Sequence, residues 1–209
     1  YSGRFGTSLA AAHLAGAAFM LDEMLVENGV MPATGRTGVR ARQAVLKLTA
    51  AHVPLAETAT GDGTFNLPAY SGHDPVRGFG HLRLDAAVHA MSDPLYSGLD
   101  QSDTLSSDWQ KPVVTRRLKV SPGVRYLVEA VPSGSLDISL ELVQVHGAAG
   151  GGQEQVIRMD LNGVGVSEFT YFRPEPESWS FLAVKRLSGA GAVVLRLVEA
   201  ESFVEQGGG

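Results

Sequence analysis

The residues with the clearest capacity for chemistry are Gly6-Thr7-Ser8-Leu9-Ala10-Ala11-Ala12-His13-Leu14-Ala15-Gly16. A serine hydroxyl is a poor nucleophile until a base takes its proton. At the start of a helix, however, it sits beside unpaired backbone N–H groups and the positive end of the helix dipole, both of which favour a developing oxyanion. Ser8 stands at such a start. Thr7 and Ser8 are competent N-caps, and the apolar run that follows suits a helix to about Asn28, where Asn28-Gly29 supplies a stop. Gly6 allows a tight turn, and Ala10, Ala11, Ala15 and Gly16 are small enough to let the helix lie close against its neighbours. His13 lies five residues beyond Ser8. Helix faces repeat every three or four residues, so the two side chains diverge, and His13 reads as a buried structural histidine.

This segment resembles the nucleophile motif of the subtilisin-like serine peptidases, whose consensus is G-T-S-M-A-A-P-H-V-A-G. Gly6, Thr7, Ser8, Ala10, Ala11, His13, Ala15 and Gly16 match it. Leu9 and Leu14 are conservative replacements, Ala12 stands at the family's proline, and Phe5 occupies a position where a small residue often precedes the glycine. In that family a second helix follows the nucleophile helix, and the domain closes with a G-x-G strand and a terminal helix. Here Val39–His52 and then Gly78-Phe79-Gly80-His81-Leu82-Arg83-Leu84-Asp85-Ala86-Ala87 fall in those places. The resemblance covers residues 1–91. A looser one, carried by Leu118-Lys119-Val120-Ser121-Pro122-Gly123 and Gly189-Ala190-Gly191-Ala192-Val193-Val194-Leu195, links the remainder to the jelly-roll or pre-peptidase C-terminal-like domains that follow secreted subtilases.

The resemblance implies that Ser8 is the nucleophile and that its own N–H is one oxyanion donor. Subtilase triads run Asp, His, Ser along the chain, and the family's oxyanion Asn also precedes the serine. Residues 1–7 contain neither Asp nor His. The expectation is therefore a serine endopeptidase fragment. Its Asp, His and Asn would come from an N-terminal segment of the same protein or from a separate chain, and its substrate would be a peptide or protein. The alternative is a pseudopeptidase that keeps the motif for packing and serves as a structural or accessory subunit at the cell surface. An α/β-hydrolase site would need G-x-S-x-G after a strand, and Gly6 to Ala10 lacks the second glycine. Family habit, with the absence of Cys, implies a secreted or cell-envelope location.

These residues must be positioned by a chain of two characters. The first part is helical, with a second helix over Val39–His52 capped by Thr37 and striped by Ala41, Ala44, Val45 and Leu48. Pro54 to Arg77 reads as a long loop. A short strand is expected at His81–Leu84, then a helix over Ala86–Met91 capped by Asp85. Beyond Ser92-Asp93-Pro94 the sequence reads as all-β. Strands are predicted at Val113–Val120, Val124–Pro132, Leu136–Val145, Gln155–Leu161, Val166–Phe172, Trp179–Leu187 and Ala192–Glu199. Turn signals such as Pro122-Gly123, Ser133-Gly134, Asn162-Gly163 and Gly189-Ala190-Gly191 separate them. Ile138, Leu140 and Leu142 alternate with Asp137, Ser139 and Glu141, as a strand with two distinct faces requires. The expected fold is the C-terminal α/β portion of a subtilisin-like domain (1–91), a linker (92–98), a β-sandwich or jelly roll (99–205) and a frayed tail (206–209).

Composition narrows the chemistry further. The 209 residues include no Cys, which excludes thiolate nucleophiles, disulfides and Cys-based metal sites. A net charge of −5 without a basic block argues against nucleic-acid binding. No apolar stretch is long enough to span a membrane, and the His residues show no zinc spacing. No cofactor is implied. Asp100, Asp103 and Asp108 are the residues that could hold calcium, although they lack the spacing of a calcium loop and read more simply as a solvated turn. Trp109, Trp179, Tyr171 and Phe172 could line a carbohydrate or peptide groove, with core packing the simpler use for most of them.

Overall fold

The computed structural model describes residues 7–27, 36–51, 81–106, 111–145, 154–159 and 162–200. Three helices come first: α1 (Thr7–Glu27), α2 (Arg36–Thr49) and α3 (Leu84–Ser92). The strands follow: β1 (Pro94–Tyr96), β2 (Gln101–Leu105), β3 (Val113–Lys119), β4 (Tyr126–Pro132), β5 (Asp137–Val145), β6 (Glu154–Met159), β7 (Glu168–Phe172), β8 (Trp179–Ser188) and β9 (Gly191–Glu199). They form a five-stranded sheet ordered β1-β3-β8-β5-β6 and a four-stranded sheet ordered β2-β9-β4-β7. The pairs are antiparallel, except that β1 runs parallel to β3.

Alternation along the strands builds the space between the sheets. Ile138, Leu140 and Leu142 of β5 point into it, with Val114, Leu118, Leu182 and Val184 from the same sheet. Tyr126, Val128, Ala130, Phe172, Val193, Leu195 and Leu197 meet them from the other sheet. The result is the expected β-sandwich, driven by removal of these apolar faces from water. Turns at Gly123, Gly134 and Gly189 have φ of 79°, 62° and 70°. At Gly189 a Cβ would also stand 2.2 Å from the Ser135 carbonyl oxygen, so glycine is required there twice over.

The five-stranded sheet is buried on its second face as well, which the sequence did not signal. Ala17 and Leu21 of α1, Ala41, Ala44, Val45 and Leu48 of α2, and Ala86, Ala87, Ala90 and Met91 of α3 form one core with Val113, Val143, Val145, Phe181 and Ala183. The stripe anticipated on α2 is the stripe that docks. This face therefore carries polar side chains into an interior. Thr115 Oγ1 donates to the Ala86 carbonyl. Glu141 and Lys185, both nearly inaccessible, face each other at 3.2 Å. Arg42 of α2 pairs with Asp22 of α1.

All seven predicted strands are present with ends shifted by a few residues, and β1 and β2 are additional. The segment expected as a linker, 92–98, contains β1, paired to β3 through Leu95 and Leu118. The expected strand at His81–Leu84 reduces to a single bridge between Ala51 and His81, because Leu84 already begins α3. Asp85 lies in the first turn of α3 and pairs with Arg83, the residue at the cap. Thr37 likewise falls inside α2. Residues 54–77 and the tail 206–209 lie outside the described residues. Of the α/β portion expected over 1–91, the described residues supply three helices and one bridge. β7 is an edge strand. Its Glu168 points inward and is buried, and Glu168 Oε1 accepts the Asn162 N–H at 2.7 Å.

Candidate functional site

Ser8 is the second residue of α1, where the dipole and open N–H groups favour an anion. Its side chain and Gly6 lie outside the described set. Beyond it the helix is unusual. Ala11, Ala12, His13, Leu14, Ala15 and Gly16 are all exposed. Farther along, Phe19, Met20 and Val26 are 63%, 50% and 54% exposed. Among the described side chains of α1, Ala17 and Leu21 are buried and Ala18, Asp22 and Met24 partly so. His13, expected in the interior, is exposed because α1 touches the rest of the chain along one narrow stripe. An apolar helix of 21 residues thus shows most of its circumference to solvent. A soluble amphipathic helix would instead pair a buried apolar stripe with a polar outer face. No helix among the described residues is long and apolar enough to cross a membrane.

A histidine–carboxylate pair stands on α3. His89 Nδ1 donates to Asp93 Oδ2 at 2.6 Å, and Ser92 Oγ donates to Asp93 Oδ1 at 3.2 Å. This is the partnership that orients a general base, but both side chains are more than 40% exposed. The signal in the sequence is the His-x-x-x-Asp spacing of His89 and Asp93 at a helix end.

The carboxylates considered for calcium are otherwise engaged. Asp103 Oδ2 accepts from Arg116 Nη2 at 2.9 Å, its other oxygen accepts from Lys111 and from the Thr104 N–H at 2.7 Å. Burial pushes the Asp103 carboxyl up, but the Lys111 and Thr104 hydrogen bonds and Arg116 outweigh it and hold the group below its ordinary value. Asp100 pairs with Arg196 at 2.9 Å. Asp108 lies outside the described residues. Among the described residues no cluster of His, Asp and Glu could hold a metal ion.

The aromatic residues do not converge. Phe172 packs inside the sandwich, 5.8 Å from Tyr126. Tyr171, its neighbour in β7, points outward, beneath the Arg125 guanidinium at 4.6 Å. Trp179 packs partly against the helical core, and Trp109 is not described. A pocket of about 140 Å³ does exist at Trp179, in the split between Arg117–Val120 and Ser178–Ser180. It went unseen in the sequence because its two walls are some sixty residues apart.

No protein-family model matches the chain, and no curated protein matches it. Among solved structures, it is similar to the pre-peptidase C-terminal domain of collagenase from Bacillus anthracis. That likeness has a TM-score of 0.37 and 11% identity over 50% of this chain and 91% of that one. It is also similar to CorA, a surface-associated copper-binding protein important in Methylomicrobium album BG8 copper acquisition. Here the TM-score is 0.36 and the identity 7%, over 52% of this chain and 98% of that one.

Proposed function

We propose that this chain supplies the nucleophile Ser8 to a subtilisin-like serine endopeptidase site whose base, acid and second oxyanion donor come from another segment. Ser8 Oγ attacks the scissile carbonyl carbon and passes its proton to a histidine of that segment, which an aspartate orients. The tetrahedral oxyanion is held by the Ser8 N–H and an asparagine of that segment. Collapse of the intermediate breaks the C–N bond, and the histidine returns the proton to the departing amine. Water then releases the acyl group by the same route. The sandwich is an accessory layer carried with the site, and the setting is the cell exterior or envelope.

One observation carries the reading. The helix that begins at Thr7 is apolar on nearly all sides but, among its described side chains, has one stripe covered, as expected of a helix that packs inside a larger peptidase core. The motif around Ser8 names the core.

The test is fluorophosphonate labelling of the protein together with whichever segment or separate chain carries the proposed His, Asp and Asn, followed by mapping of the labelled residue. Label on Ser8, lost in Ser8→Ala with folding unchanged, is the expected result. Proteolysis that persists in Ser8→Ala overturns the assignment. A stable but unreactive complex would instead favour the accessory, pseudopeptidase role.

A further inference from the structure

We propose that the cleft between β3 and β8, bounded by Arg117, Lys119 and Trp179, is a binding site for a carboxylate. The ladder between the two strands ends at Arg117 and Phe181, but β3 continues to Lys119 with β1 on its other side. The strands part at that point, and the pocket of about 140 Å³ lies in the gap. Its volume suits a carboxylate on a short carbon skeleton.

Among the described residues no counter-charge meets the cations of this gap. Arg117 is half-buried, and its Nε is enclosed and reaches no hydrogen-bond acceptor. Burial depresses the Arg117 pKa, opposed weakly by Tyr96. No described carboxylate pairs with Arg117 or Lys119, although the chain as a whole is acidic. A guanidinium nitrogen shut off from water without an acceptor is costly. A carboxylate entering the gap would accept two parallel N–H bonds from the guanidinium fork. Lys119 adds a second positive charge at the mouth, and the Trp179 indole offers an apolar wall for the carbon skeleton. One guanidinium and one exposed ammonium fit a single carboxylate better than a multiply charged phosphate.

The same chemistry is offered by a free organic acid and by the C-terminal carboxylate of a peptide, and a titration on the intact chain separates them. The probes are benzoate against benzamide, and Gly-Gly-Phe against its C-terminal amide, followed by calorimetry and by backbone amide shifts at residues 117–120 and 178–180. Saturable binding of at least one acid is expected, with its amide at least tenfold weaker. Arg117→Gln should reduce the acid's affinity tenfold or more, and Lys119→Gln, at an exposed position, several-fold. Benzoate alone binding assigns the site to small acids, and binding of the peptide acid assigns it to chain ends. Equal binding of acid and amide, no saturable binding of either acid, or a folded Lys119→Gln chain with unchanged affinity would each overturn the proposal.

Discussion

At the scale of single residues, the buried pair Glu141–Lys185 shows how the helical layer reshapes the demands on a strand. Glu141 alternates with Leu140 and Leu142 in β5, so by pattern alone it belongs on a solvated face. The helices cover that face, and the carboxylate is kept in an interior where a lone charge is expensive. Lys185→Met should therefore destabilise the chain by about 3–5 kcal/mol, as expected when one partner of a buried pair is removed. The double variant Glu141→Leu with Lys185→Met should recover most of the loss. Urea unfolding of the two variants decides it, and equal losses would show that the pair is not coupled. Asp103 makes a second prediction. Its pKa is lowered on folding, so it stabilises the native state above its ordinary value of 3.8, and that contribution fades as pH falls below it. Asp103→Asn should lower stability at neutral pH and flatten the acid limb of the stability curve. An acid limb as steep as in the parent would contradict this.

At the scale of elements, legibility followed from how much of the pattern is local. The strands from β3 to β9 announced themselves through alternation and through Pro122-Gly123, Ser133-Gly134 and Gly189, where turn chemistry is a property of the residues themselves. β1 has three residues, too few for a period. β2, Gln-Ser-Asp-Thr-Leu, reads as polar loop because its strand form depends on backbone pairing with β9, at the far end of the chain. Ser8 at a helix start was legible for the same local reason, whereas the Arg117–Trp179 gap arises from the parting of two strands distant in sequence. Helix α1 gives the sharpest element-scale prediction. Leu21→Ala, in the docked stripe, should cost about 2–5 kcal/mol. Phe19→Ser, on the uncovered face, should leave thermal stability of the chain nearly unchanged but, under the proposed function, weaken its association with the proposed completing segment by an order of magnitude or more. Light scattering and size-exclusion chromatography of the mixture measure the second effect. Unaltered association would place the contact elsewhere.

At the scale of the whole molecule, the arrangement is three layers: helices, a five-stranded sheet and a four-stranded sheet. The sequence suggested two bodies joined at residues 92–98, because composition changes there. Composition marks a change of element type, but it does not report what those elements pack against. The middle sheet belongs to both cores, so the sandwich should not tolerate loss of the helices. A chain reduced to residues 93–200 exposes Val113, Val143, Val145, Phe181 and Ala183 together with the Glu141–Lys185 pair. It should self-associate or bind a hydrophobic dye at concentrations where the full chain is monodisperse. A monomeric, cooperatively unfolding fragment would refute the shared-core account.

The inward Glu168 of β7 has a consequence at this same scale. An outermost strand offers a row of open backbone groups to any passing chain, and hydrophobic residues facing both ways would invite it to stay. A carboxylate turned into the protein breaks the apolar inner face at that margin, one of the devices by which an outermost strand resists a flush extension of the sheet strand upon strand. The margin of the four-stranded layer is thereby guarded against polymerisation, and the substitution that removes the guard, Glu168→Val, is the one from which fibrils would be expected to start.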